Sequence, residues 1–167
     1  MGAQEHHAKA KRVVVCAVLT VSDTRTPETD TNGTCIQALL EQAGHRVASY
    51  AVLPDEAEQV RAHVEGLLGD AEVDAVILNG GTGLAPRDRT YEAVVDLLEK
   101  RLDGFGELFR MLSYQHVGAA AMLSRAAAGV ARGKVIAALP GATAAVELAM
   151  TKLLLPELGH MVQLLRG

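Results

Sequence analysis

The chain has no tryptophan, two phenylalanines and three tyrosines, so aromatic residues make up 3% of its 167 positions. Binding single-stranded nucleic acid calls for several aromatic faces in a row, and this chain has too few to build them. Basic residues are also short. Sixteen Lys and Arg stand against twenty Asp and Glu, a formal charge of −4, and a surface of that sign does not recruit a phosphate backbone. Nucleic acid is therefore not expected as a partner. Cysteine is scarce: Cys16 falls in an apolar run and Cys35 in an expected helix, with no CxxC pair. Free thiols buried in a reducing cytoplasm are the expectation, not a disulfide framework. The six histidines show neither HxH nor HExxH spacing, which argues against a zinc site.

Long apolar runs are missing too. The longest, Val13 to Val21, is interrupted by Thr20 and is too short to cross a bilayer. The polar opening, Met1 to Lys11, lacks the apolar segment of a signal peptide. These features set an expectation of a cytoplasmic protein with no membrane partner. Residues 1–12 read as a flexible tail and residues 13–167 as a single α/β domain.

What the chain does have is aliphatic bulk: 49% of it is hydrophobic. Val13 to Val21 shows no polar alternation, as expected of a strand covered on both faces. His45 to Leu53 is a second strand of mixed character, suited to an edge. Val73 to Leu78 is a third, and Val135 to Leu139, after a turn near Gly129, a fourth. Between them lie helical stripes. Ile36, Leu39, Leu40 and Ala43 recur at i, i+3, i+4, i+7 before a stop at Gly44. Ala57, Val60, Val64, Leu67 and Leu68 form a second stripe, and Tyr91, Val94, Val95 and Leu98 a third with Thr90 as N-cap. A broken helical stretch spans Gly104 to Ala128, and a last helix runs from Ala142 to Leu165, with Pro156 starting a fresh turn. Strand and helix in alternation predict a three-layer α/β/α fold around a mostly parallel, doubly wound sheet.

In such sheets ligands bind beyond the carboxyl ends of the strands. That rule gathers Ser22-Asp23, Pro54-Asp55, the stretch Gly80 to Asp88, and Pro140-Gly141 on one rim. Leu78-Asn79-Gly80-Gly81-Thr82-Gly83 carries three glycines in four positions, so its amides can approach an anion closely. The stretch reads either as a phosphate-binding loop or as a plain strand-to-helix turn. The rim carboxylates are Asp23, Asp55 and Asp88, with Asp30 as a further candidate. Oxygen ligands beside a phosphate loop suit Mg²⁺ and phosphoryl or nucleotidyl transfer. The glycines fit neither GxGxxG nor the Walker A pattern. Blander readings compete. Asp55 serves equally as the first residue of a helix, and Ser22, Ser113 and Ser124 lack a GxSxG elbow. Arg110 and Arg125 could hold carboxylates at a subunit contact, and Phe105 and Phe109, four apart, suit a core.

The chain resembles the MoaB/Mog proteins of molybdenum-cofactor biosynthesis from about Val13 to Gly167. The resemblance rests on several blocks in order: Thr20-Val21-Ser22-Asp23-Thr24-Arg25, Asp30-Thr31-Asn32-Gly33, Gly80-Gly81-Thr82-Gly83 and Arg87-Asp88-Arg89-Thr90. Gly104-Phe105-Gly106-Glu107-Leu108-Phe109-Arg110, Leu123-Ser124-Arg125 and Leu139-Pro140-Gly141 follow. The Gly104–Arg110 block and the Leu155–His160 ending are closer to the MoaB branch. The resemblance implies a molybdopterin-binding α/β domain that assembles as a homo-trimer or hexamer, with contacts to other proteins of the pathway. It also implies transfer of AMP from Mg-ATP to molybdopterin with release of pyrophosphate, or, alternatively, molybdopterin binding and delivery without catalysis. An unrelated phosphate-ester enzyme on the same scaffold is a third reading. By motif, Asp55 and Asp88 match the family's two functional aspartates, with Mg²⁺ assigned to them. Ser22, Gly80, Gly81, Thr82, Gly83, Ser113, Pro140 and Gly141 match positions lining the pterin and phosphate site, and Asp23 joins them from the rim. The chain departs from the family at Asn79, where Thr is usual, at Arg89, and at Ala142-Thr143, where Ser or Asn, sometimes followed by Pro, is usual.

Overall fold

The computed structural model describes residues 12–167, so the expected tail over residues 1–12 lies outside the described residues apart from Arg12. Six strands form one sheet in the order β2-β1-β3-β6-β5-β4. Strands β1 (Val15–Val21), β2 (Arg46–Leu53), β3 (Ala75–Asn79) and β6 (Lys134–Leu139) pair in parallel. The edge formed by β4 (Lys100–Arg101) and β5 (Ala127–Ala131) is antiparallel.

The apolar strands sort their side chains by the period of two that pleating imposes. On β1, Cys16 and Val18 enter one core and Ala17, Leu19 and Val21 the other. The first core is closed by α1 (Thr31–Gln42), α4 (Asp103–Val117) and α5 (Thr143–Ala149), which runs on through a π-helical segment, Met150–Leu154, into α6 (Leu155–Arg166). The second is closed by α2 (Ala57–Leu68) and α3 (Thr90–Val95). Phe105 and Phe109 lie in the first core with ring centroids 6.4 Å apart. Cys16 is buried, and its thiol is pushed up to about 12 by that burial and by the Asp74 charge. Cys35 is only half-buried, which corrects the expectation of two buried thiols. No helix among the described residues is long and apolar enough to cross a membrane.

Asp30 caps α1: its Oδ1 accepts the Gly33 amide at 3.0 Å and its Oδ2 the Tyr50 hydroxyl at 2.5 Å. Burial works against its charge, yet the Gly33 amide, the Thr20 and Tyr50 hydroxyls and Arg25 hold its carboxyl below the usual range. Asp30 is thus engaged in building α1, and it does not line the rim pocket described below.

Several boundaries differ from the sequence reading. Residues 127–131 are strand β5, where the sequence reading had the end of a helical stretch at Ala128 and a turn from Gly129; pairing with β6 overrides local propensity. Arg132 and Gly133 turn the hairpin with φ of 49° and 73°, the left-handed pair that a tight hairpin turn requires. Thr90 is not the cap of α3. Arg89 occupies that place without a side-chain hydrogen bond, and Thr90 is the buried first residue of the helix. The π-helical segment Met150–Leu154 ends two residues before Pro156, whose missing N–H interrupts the α-helical ladder.

Candidate active site at the strand ends

Because β1, β2, β3 and β6 are parallel, their carboxyl ends share one rim, and the four loops that leave them meet there. Between β1 and β3 the chain reverses its direction across the sheet, the place where open α/β sheets form a crevice. A polar pocket of about 250 Å³ opens there, lined by Ser22, Asp23, Asp55, Gly80, Gly81 and Asp88 among others. Gly80 and Gly81 adopt φ of +94° and +68°. A Cβ at Gly80 would stand 2.2 Å from the Val21 carbonyl oxygen, and one at Gly81 2.1 Å from Thr90 Oγ1. Only glycine fits either position.

A second, larger space adjoins this pocket. It is a groove of about 810 Å³ between α4, the 3₁₀ turn Gly118–Leu123 and the start of α5. Ala120, Ala121, Ala142, Ala144 and Ala145 line it with Phe109 and Leu148. Thr82, Gly83, Ser113, His116 and Pro140 add polar groups and backbone. Gly81, Asp88 and Gly141 border both spaces, so groove and pocket form one cleft. The candidate residues therefore divide. Ser22, Asp23, Asp55 and Gly80 face the pocket, Thr82, Gly83, Ser113 and Pro140 the groove, and Gly81, Asp88 and Gly141 the junction.

The carboxylates differ in their surroundings. Asp23 pairs with Arg87, Oδ2 to Nη2 at 2.6 Å, and its Oδ1 accepts the Asp55 amide at 3.1 Å. Asp88 Oδ2 accepts the Ala85 amide at 3.1 Å. Burial raises the pKa of Asp55, and the negative charges of Asp88 and Asp23 add to the rise; the Arg89 amide and Arg87 oppose it. Asp55 Oδ1 is buried with no hydrogen-bond partner, as is the Thr90 hydroxyl beside Gly81. A buried carboxylate oxygen without a donor is strongly disfavoured, and a cation at the rim would satisfy it. Among the described residues no group of three or more His, Cys, Asp or Glu is arranged to hold a metal unaided. Ser22 is a turn-maker: its Oγ accepts the amides of Thr24 at 3.2 Å and Arg25 at 3.1 Å.

Two features of the site escaped the sequence reading. Arg125 does hold a carboxylate, but within its own chain. Nε donates to the Thr82 carbonyl at 3.1 Å, Nη2 to those of Gly83 at 2.7 Å and Asp88 at 3.0 Å, and the guanidinium also pairs with Glu92 while lying over the Tyr91 ring. One side chain thus clamps the whole glycine-rich loop. Arg110 likewise turns inward, toward the Ser124 carbonyl. The second feature is a buried amide network centred on Asn32, which joins Asn79, Gly141 and Thr143. The short Leu123-Ser124-Arg125 and Asp30-Thr31-Asn32-Gly33 blocks marked both places without revealing their partners.

Fold and cleft together define an α/β protein with an apolar groove that runs into a polar pocket at the strand ends. Residues 17–160 match the family described as a probable molybdopterin binding domain, and the chain belongs to that family, as the MoaB/Mog motifs had indicated. It is 51% identical to the molybdenum cofactor biosynthesis protein B of Halalkalibacterium halodurans, over 98% of this chain and 96% of that one. The crystal structure of a molybdenum cofactor biosynthesis protein B superposes with a TM-score of 0.90 at 49% identity, covering 93% of this chain and 97% of the other. The tungsten cofactor synthesizing protein MoaB from Pyrococcus furiosus superposes with a TM-score of 0.84 at 32% identity, covering 93% and 99%.

Proposed function

We propose that this protein binds molybdopterin in the cleft and transfers AMP from Mg-ATP to its terminal phosphate in the cytoplasm. The observation that carries the reading is the junction at Gly81, Asp88 and Gly141, where an apolar groove opens into a carboxylate pocket. The alanine walls accept a flat pterin. The Gly80 amide is spent on the Leu139 carbonyl at 3.0 Å, which leaves the amides of Gly81, Thr82 and Gly83 for the phosphate, and Ser113 adds a hydroxyl in the groove. A phosphate oxygen of molybdopterin attacks the α-phosphorus of ATP; the bond from that phosphorus to the bridging oxygen breaks, and pyrophosphate leaves with the bonding pair. Asp55 and Asp88, with Asp23 adjacent, would hold Mg²⁺, which supplies neutralisation of the charge on the triphosphate. Arg125 keeps the loop that carries Asp88 in place, so the protein's contribution is positioning and a preset field.

The test is pyrophosphate release from Mg-ATP in the presence of molybdopterin. Release that depends on both substrates supports the reading. Molybdopterin binding without release identifies a carrier, and no molybdopterin binding removes the reading altogether.

The same reading includes a homo-trimer or hexamer. Leu108, Met111, Tyr114 and Val117 on α4, each at least 48% exposed, and Met122 at 76% and Leu123 at 50% on the turn after it leave apolar surface uncovered on this part of the chain. An apolar face of this kind suits burial against a second copy. Sedimentation of the wild type against Met111→Glu reports on it: a shift to monomer supports the assembly, and an unchanged profile removes this face from it.

A further inference from the structure

Asn32, the second residue of α1, is 1% exposed at the floor of the polar pocket. Its Nδ2 donates to the Gly141 carbonyl at 2.7 Å and to Asn79 Oδ1 at 3.2 Å, and its Oδ1 accepts the Thr143 hydroxyl at 2.9 Å. Asn79, also 1% exposed, passes the network on from Nδ2 to Thr20 Oγ1 at 2.8 Å. One amide therefore joins the ends of β1 and β3 to the segment that leads from β6 into α5. Both of its polar atoms are engaged, and its partners lie 47, 109 and 111 residues away in the chain.

This network holds Gly141, which borders both compartments of the cleft. A Cβ at Gly141 would stand 3.6 Å from Gly80 Cα, so the turn after β3 and the turn after β6 lie side by side. Helix α5 begins there without a side-chain cap of its own: Ala142 carries no polar atom, and the Thr143 hydroxyl turns to Asn32. The start of α5 is oriented across the rim by Asn32, not by its own first turn. Ala142, Ala144 and Ala145 on that start line the groove, and Gly141 lines both compartments.

We propose that Asn32 is a positioning residue that sets the neck between groove and pocket, and hence the registration of a ligand that spans both; this deepens the molybdopterin reading and rests on it. Asn32 does not touch the reacting atoms. Removing its amide leaves the Gly141 carbonyl and the Thr143 hydroxyl without their partner and frees the start of α5 to shift against Gly80. A guest that occupies only the pocket is insensitive to that shift, and a guest that threads the neck is not.

The experiment compares the wild type with Asn32→Ala, Asn32→Asp, Thr143→Val and Thr143→Ser. Equilibrium binding is measured separately for molybdopterin and Mg-ATP, with hydrogen exchange of residues 141–146 followed without ligand. For Asn32→Ala the molybdopterin Kd is expected to rise about tenfold while that of Mg-ATP stays within about twofold, with exchange at 141–146 accelerated. Asn32→Asp, which sets a carboxylate against the Gly141 carbonyl, has at least the same effect. Thr143→Val has a smaller one in the same direction, and Thr143→Ser restores wild-type behaviour. Equal weakening of both ligands, or unchanged exchange in a folded Asn32→Ala protein, overturns the proposal. Should Asn32→Ala fail to fold, the Thr143 pair decides in the same way. If the wild type binds no molybdopterin, the functional reading fails, while exchange still reports whether Asn32 sets the neck.

Discussion

The carboxylate pocket and the apolar groove share a border but are made by opposite means. The pocket adds chemistry: of the four loops that leave parallel strands, three deliver charged side chains to one rim and the fourth brings Gly141. The groove subtracts it, since alanines on α5 and on the turn after α4 leave space where larger residues would have closed the wall. Charge must be placed to a fraction of an ångström to act, and Asp23 and Asp88 each have a fixed donor or cation beside them. Room only has to be left. Substitutions should therefore hurt the two compartments in different measurable quantities, and that separation can be broken.

The largest effect is expected from Asp88→Asn. The amide keeps the shape and loses the charge at the junction, so turnover falls by about a hundredfold. Molybdopterin affinity stays within about twofold, since the apolar walls of the groove are unchanged and its border at Asp88 keeps the same shape. Pyrophosphate release and direct binding, measured on one preparation, check it. Loss of both in equal measure would merge the two compartments into one, and wild-type turnover would take Asp88 out of the mechanism.

Arg125→Ala ranks next. The clamp on the carbonyls of Thr82, Gly83 and Asp88 is lost, and Mg-ATP affinity is expected to drop about tenfold with faster exchange over residues 82–88. Arg125→Lys should not restore it, because one ammonium cannot reproduce the planar fork that reaches three carbonyls. Rescue by Lys would reduce the clamp to a matter of charge.

Ala144→Phe sharpens the contrast from the other side. Ala144 is exposed on the groove wall, so a ring there fills the space at little cost to the fold. Molybdopterin affinity should fall about tenfold with Mg-ATP binding unchanged. Competition between the two effects, with ATP also displaced, would mean that the nucleotide occupies the groove.

The same division explains what could be read in the chain before its fold was known. The central strands of the parallel half were legible because they are buried on both faces and nearly all apolar, as Val15 to Val21, with Thr20 its single polar residue, shows. Once their direction was set, topology alone brought Ser22, Asp55, Gly80 and Gly141 together. The antiparallel edge was not legible. Residues 127–131 are mostly alanine and glycine, and their strand character comes from β6 and not from their own side chains; Gly133 beside Arg132 was the one local sign of a hairpin. The positioning groups were hidden for a related reason. Arg125 reaches carbonyls up to 43 residues distant and Asn32 one 109 residues away. Bonds to backbone oxygen impose no complementary residue type, so no pairing pattern betrays them.

The smallest effect expected is thermodynamic, and it tests whether the pocket was assembled against the grain of the fold. Burial and the charges of Asp88 and Asp23 raise the Asp55 pKa above its unfolded value. The folded state therefore holds that proton more tightly than the unfolded chain does. The associated stability is fully present below the unfolded pKa and is lost as pH rises through the folded one. At neutral pH the charged carboxylate opposes folding, and Asp55→Asn should leave stability equal or slightly higher, within about 0.5 kcal/mol for a half-buried residue whose charge solvent still screens. Cation binding runs the other way: it needs the ionised form, so Mn²⁺ affinity should weaken as pH falls through that raised pKa, and Asp55→Asn should abolish the trend. Denaturation at neutral and acid pH, together with Mn²⁺ titration, measures both. If Asp55→Asn were destabilising at neutral pH and harmless in acid, the carboxylate would be an anchor of the fold, and the distinction between placed charge and structural scaffold would fail at the residue where it is drawn most sharply.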